Sequence, residues 1–177
     1  MELHPTSFKL HGKSYDYKIL YKHIALLFLL PGHDGRHVSL VLTLDPKRPL
    51  RRGQTTYPHL VMVFPAESEL EIKPNLSPEL AAKYGPAGIT GDMHGPTYRV
   101  VQKLFKAFTG KPILRPDTFR GAASAPCIKC SYKADEGHLY PMDKYFFFIH
   151  KPPVLIRYMY KLLIGTDDML AWMRLPV

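Results

Sequence analysis

Cysteine is scarce in this chain, with two residues in 177, Cys127 and Cys130. Two thiols cannot build a disulfide scaffold, so a reducing compartment is expected. Long hydrophobic runs are also missing. The longest, IALLFLLP from Ile24, is too short to cross a bilayer. The opening MELHPTSFKLHGKSYDYK lacks the apolar segment of a signal peptide. The expectation is a soluble, intracellular protein. Acidic residues are the minority, 15 against 24 basic ones, for a formal net charge of +9. That balance favours polyanionic partners, either nucleic acid or an anionic membrane surface.

Catalytic and metal-binding signatures are lacking too. Gly12-Lys13 has no remainder of a phosphate-binding loop, and Asp16, Asp34 and Asp45 sit singly among turn residues. The nine histidines show no pair at metal-ligand spacing. No catalytic residue, cofactor site or metal site is expected, and no enzyme.

What is abundant points to strands and turns. The chain is 46% hydrophobic and rich in Tyr, Phe and Pro, a mix that suits short strands better than a helical bundle. Strands are expected at Ser7 to Leu10, Ser14 to Ile19, Ile24 to Leu30, His37 to Leu44, His59 to Phe64 and Leu70 to Leu76. In HVSLVLTL, residues Val38, Leu40, Leu42 and Leu44 recur at period two on one face. DPKRPLRRGQTTYP reads as a long polar loop. Ser77-Pro78-Glu79 signals the start of a short helix. A stronger helix is expected at Pro96 to Phe108, with Val101, Leu104, Phe105 and Phe108 on one face and Gly110 and Pro112 ending it. A run of strands closed by one amphipathic helix fits a small mainly β (α+β) fold, a pleckstrin-homology-like barrel with a capping helix.

Residues 112–126, PILRPDTFRGAASAP, read as a linker. Strands then resume at Cys127 to Lys133, His138 to Tyr140, Tyr145 to His150 and Val154 to Tyr158, with ADEG at 134–137 as a turn. On a strand, Cys127 and Cys130 point to opposite faces, so they cannot jointly hold zinc. No helix N-terminus is at hand to activate a redox pair. Both are expected to be structural.

LHGKSYDYK at 10–18, GQTTYPHLVMVF at 53–64 and CIKCSYKADEGHLYPMDKYFFFIHKPP at 127–153 together resemble the structure-specific recognition protein family. That family is the smaller subunit of the FACT histone chaperone. The likeness runs from about residue 2 to residue 158 and is to the family's middle region, a tandem pair of pleckstrin-homology-like domains. It implies a first such domain over 1–111, the linker over 112–126, the start of an incomplete second barrel over 127–158, and a divergent tail over 159–177. The chain starts inside the first strand of the first domain, and MYKLLIGTDDMLAWMRLPV after Tyr158 is unlike the family. Thr166-Asp167-Asp168 is expected to cap a short helix there. The family's dimerisation domain, acidic stretch and HMG box have no counterpart in the sequence.

The resemblance implies a non-enzymatic chromatin module of nucleus and chromosome, acting on nucleosomes in transcription, replication and repair. Its partners would be histones H3–H4, DNA and the large FACT subunit. Lys47, Arg48, Arg51 and Arg52 are the candidate DNA contacts, each adding a salt-dependent increment of affinity. A solvated loop is the plainer reading, and PKRPLRR also resembles a nuclear-localisation signal. Gln54, Thr55, Thr56 and Tyr57 are candidate histone contacts, or simply turn chemistry. Glu67, Glu69 and Glu71, at period two, form an acidic strand edge facing histones or only blunting aggregation. Two other functions stay open: a phosphoinositide-binding domain, although Lys9, Lys13 and Lys18 are spaced out on the first hairpin, and a protein scaffold. A basic chain repels basic histones at long range, so histone binding would depend on short-range contacts.

Overall fold

The computed structural model describes residues 1–12, 16–116, 119–121 and 124–158. The capped helix expected at 166–173, and residues 14 and 15 of the second strand, lie outside them. The chain divides into two compact units, one spanning Met1–Arg115 and one beginning at Pro116.

In the first unit, β1 (Glu2–Leu3), β2 (Ser7–His11) and β3 (Asp16–Leu20) form an antiparallel sheet. A 3-10 turn, Tyr21–His23, leads into β4 (Ile24–Pro31), which pairs with β5 (His37–Leu44). The polar segment that follows, expected as a loop, contains a hairpin of β6 (Leu50–Arg52) and β7 (Thr55–Tyr57). Two strands of three residues give no period to read. Their signal is the two-residue Gly53-Gln54 turn, in which Gly53 adopts a φ of +58°. A glycine at the first central position suits a hairpin turn that follows strand twist.

The next strand, β8 (His59–Pro65), pairs with β5, and β9 (Glu69–Ile72) runs to a short helix, α1 (Pro78–Tyr84). The Ser77 hydroxyl caps α1 by accepting from the Leu80 N–H, and Pro78 occupies the first turn. A further strand, β10 (Met93–Pro96), pairs with β9 and leads into α2 (Thr97–Thr109). The left-handed Gly110, φ +66°, ends α2 with its N–H donating to the Lys106 carbonyl. Ile113–Leu114, within the stretch read as linker, form β11, which runs parallel to β4.

The core follows from alternation. Phe8 and Ile19 on the first sheet meet Leu27, Leu29, Leu40 and Leu42 on the second, with Val101 and Phe105 of α2 inserted among them. Val100 and Leu104 of α2 instead join Tyr84, Ile89 and Met93 in a second cluster. Phe108, expected in the core face, is only partly buried and lies between Tyr21 and Tyr84, with ring centroids at 5.0 and 5.1 Å.

The second unit is a meander of β12 (Ile128–Tyr132), β13 (Asp135–Met142), β14 (Tyr145–Ile149) and β15 (Val154–Arg157). Its first turn overlaps ADEG only at Ala134. Lys133 and Ala134 make it, with φ of +49° and +68°, and Tyr132 faces Asp135 across it. Both cysteines are free. Burial pushes both thiols up, and the Cys127 thiol is also hydrogen-bonded to Tyr140. They stay protonated at neutral pH, which suits packing rather than redox chemistry. Among the described residues no group of three His, Cys, Asp or Glu is placed to hold a metal, and no helix is long and apolar enough to cross a membrane.

Candidate functional site

The candidate surface starts at the end of β5. Asp45-Pro46-Lys47-Arg48 is a β-turn in which the Arg48 N–H donates to the Asp45 carbonyl at 2.8 Å. The Asp45 carboxylate accepts the Lys47 N–H at 2.8 Å, so it holds the turn. The Asp45 N–H donates in turn to the His23 carbonyl at 2.8 Å, tying this turn to the one between β3 and β4.

Beyond the turn, residues 51–58 are all exposed. The hairpin register sets Arg51 opposite Thr56, Arg52 opposite Thr55 and Leu50 opposite Tyr57. Paired residues share a face and successive ones alternate. Each arginine therefore has a threonine hydroxyl beside it, and the two pairs face opposite ways. Leu50 packs on the core and anchors the base of the hairpin. The Leu44 N–H, donating to the Pro58 carbonyl at 2.8 Å, closes that base from the other side. Tyr57 is 40% exposed on the Leu50 face. Gln54 is in the two-residue turn. The structure thus gathers Lys47, Arg48, Arg51, Arg52 and Gln54 to Tyr57 onto one turn-and-hairpin element.

The acidic residues are elsewhere. Glu67 is in the turn after β8, and the seven residues of β8 separate it from Tyr57. At roughly 3.3 Å per residue that is about 20 Å. Glu69 and Glu71 are exposed on β9, alternating with the partly buried Leu70 and Ile72. Glu71 pairs across with His94 and Glu69 with Pro96. The expected three-residue edge is therefore two residues on a strand plus one on a turn.

His59 starts β8 with its Nδ1 3.0 Å from the Thr43 hydroxyl. Burial lowers its pKa below the ordinary 6.5. The unfolded chain then binds a proton that the folded chain does not. Stability is unaffected above the unfolded pKa and falls as pH drops below it, until the folded pKa is reached. The His59→Gln variant should show a flatter loss of thermal stability between roughly pH 7 and pH 5 than the parent chain.

Sequence reasoning missed a recess beside this element. Lys18 in the middle of β3, His23 and Arg48 line a cavity of about 170 Å³ together with Leu44, Pro49 and Leu50. Arg48 is 25 residues beyond His23 in sequence, and no local spacing pairs it with Lys18 or His23. The pairing of β4 with β5, which sets Ile24 opposite Leu44, and the bond from Asp45 to His23 bring the two turns together.

Residues 1–113 match the family described as SSRP1 PH domain. Residues 126–160 match that described as histone chaperone Rttp106-like, middle domain. The chain is 43% identical over 158 residues to the FACT complex subunit SSRP1 of Dictyostelium discoideum. It is 40% identical over 158 residues to the FACT complex subunit SSRP1 of Homo sapiens. To the FACT complex subunit POB3 of Mycosarcoma maydis it is 39% identical over 158 residues. Each match covers 89% of this chain but only 29%, 22% and 28% of these relatives, respectively.

Proposed function

The chain belongs to the SSRP1 PH-domain family, which is non-enzymatic, and from that premise we propose that it is the nucleosome-contacting module of a FACT-type histone chaperone subunit. In this reading it binds DNA through Lys47, Arg48, Arg51 and Arg52. It binds H3–H4 through Gln54, Thr55, Thr56 and Tyr57, with Glu67, Glu69 and Glu71 as a second contact for basic histone segments. It works on chromosomes in the nucleus, beside a large FACT subunit, wherever transcription, replication or repair opens nucleosomes.

The observation that carries this reading is the exposed hairpin. It sets arginines against threonines on both faces, and both residue types are able to donate hydrogen bonds to phosphate oxygens. The net charge of +9 supplies the long-range attraction to DNA. About 20 Å of β8 keeps Glu67 from neutralising that field at close range. The acidic contact for histone segments then lies at the far end of β8 from the basic hairpin.

Binding of the full chain to short duplex DNA and to H3–H4 tetramers across a salt series tests it. Changing Lys47, Arg48, Arg51 and Arg52 to Ala should flatten the dependence of log K on log salt by roughly 0.9 for each phosphate no longer neutralised. Changing Gln54 to Tyr57, or Glu67, Glu69 and Glu71, should weaken H3–H4 binding at moderate salt. An unchanged DNA slope removes the basic hairpin from the function. Histone binding indifferent to both sets of changes removes the histone half.

A further inference from the structure

We propose that the recess between the β3–β4 turn and the β5–β6 turn is a binding site for a phosphorylated side chain, a phosphoserine or phosphothreonine presented by a partner protein. Three cationic or protonatable groups, Lys18, His23 and Arg48, converge on a cavity of about 170 Å³. The three come from different elements, so the fold rather than a charged run assembles them. The site shares only Arg48 with the DNA reading, and Lys18 and His23 lie off the basic hairpin.

The charges there are not spent on the protein. Glu2, Lys9 and Lys18 are a row of cross-strand neighbours, and the Glu2 carboxylate lies 3.0 Å from His11 and 3.5 Å from His4. Lys18 follows on the edge strand with another cation, Lys9, as its neighbour. Like charges directly opposite are destabilising, and an anion at Lys18 relieves that repulsion. Asp45 is the nearest carboxylate in sequence to Arg48, and it accepts the Lys47 N–H. Among the described residues, no ion pair is formed by Lys18, His23 or Arg48.

The shape favours a phosphomonoester over a duplex backbone. A terminal phosphate presents three oxygens, which match an arginine fork, an ammonium and an imidazole N–H. Leu44, Pro49 and Leu50 supply apolar wall for the carbon stem of the phosphorylated residue. Duplex DNA is a convex cylinder with its phosphates in a continuous row, suited to the projecting hairpin rather than to a recess. Recognition of phosphorylated motifs by clustered cations is an established physical mode.

The test is amide NMR on the full chain, titrated separately with N-acetyl-phosphoserine amide, N-acetylserine amide, inorganic phosphate and a short DNA duplex. Saturable shifts at Lys18 to His23 and at Arg48 to Leu50 with phosphoserine, absent with serine, are expected. Lys18→Glu should weaken that response at least about tenfold while changing duplex affinity less than about twofold, since a lost charge-assisted hydrogen bond is local. Both Lys18 and Arg48 are exposed, so Lys18→Glu and Arg48→Ala should leave the fold intact. The proposal is overturned by the absence of saturable shifts at these amides. It is equally overturned if phosphoserine binds no better than inorganic phosphate, which would mean a bare anion site. Larger shifts there with the duplex would make the occupant a nucleic-acid phosphate instead.

Discussion

Phe105→Ala should cost the first unit about 3–5 kcal/mol of stability, the largest single effect expected in this chain. Phe105 is fully buried, with 0% of its surface exposed. Its ring meets Phe8 edge-on at 5.1 Å and Tyr21 at 6.1 Å. With Val101, it carries α2 into the core that both sheets share. Removing it forfeits the transfer energy of the ring and leaves a cavity whose walls are strands that cannot collapse. Domains of this size have only about 5–15 kcal/mol in total. Urea unfolding followed by near-ultraviolet circular dichroism measures the loss. Phe108→Ala, at a partly buried ring on the same helix, should cost distinctly less. A loss below about 1 kcal/mol at Phe105 would mean that α2 is not what closes this core.

Gly137→Ala should cost about 1–3 kcal/mol in the second unit by overpacking. A Cβ built at Gly137 lies 2.5 Å from Cζ of Phe148 and 2.7 Å from the carbonyl oxygen of Ile149. The ring can swing aside, but the carbonyl belongs to β14, which is registered on β13 through the pair His138 and Ile149. Accommodating one methyl therefore means parting two central strands. Gly91→Ala is the control, because nothing lies within 4 Å of its Cβ position. It should shift stability by no more than about 0.5 kcal/mol. Hydrogen exchange of the β13 and β14 amides locates the effect. Equal behaviour of the two variants would refute the close approach.

Gly137 also shows why one turn was misread. Asp, Glu and Gly in ADEG are turn-forming residues, and the local signal is real. The glycine, however, answers a contact with Phe148, which is remote in sequence. The turn itself falls on Lys133 and Ala134, residues that rarely take a positive φ. The polar segment after β5 misled in the opposite way. Its composition reads as loop, yet Gly53 and the pairing of Arg51 with Thr56 make it a hairpin. That alters the candidate site, because it puts the arginines on two faces instead of along one solvated strip.

Local pattern was enough for most elements. Alternation placed β5, short apolar runs placed β4 and β8, and helical spacing with Gly110 placed α2. Ser77 and Pro78 marked the start of α1. Composition alone set the sign of the charge and the scarcity of thiols. These properties depend on residues within a few positions of one another, so one dimension suffices to read them. The tertiary structure decided what depends on register and on distant backbone bonds. The length of β8 parted Glu67 from the basic hairpin, and the β4–β5 register, extended by the Asp45 to His23 hydrogen bond, brought Arg48 to Lys18. No periodicity encodes those juxtapositions, because closing the chain over tens of residues is settled by the packing of the whole core.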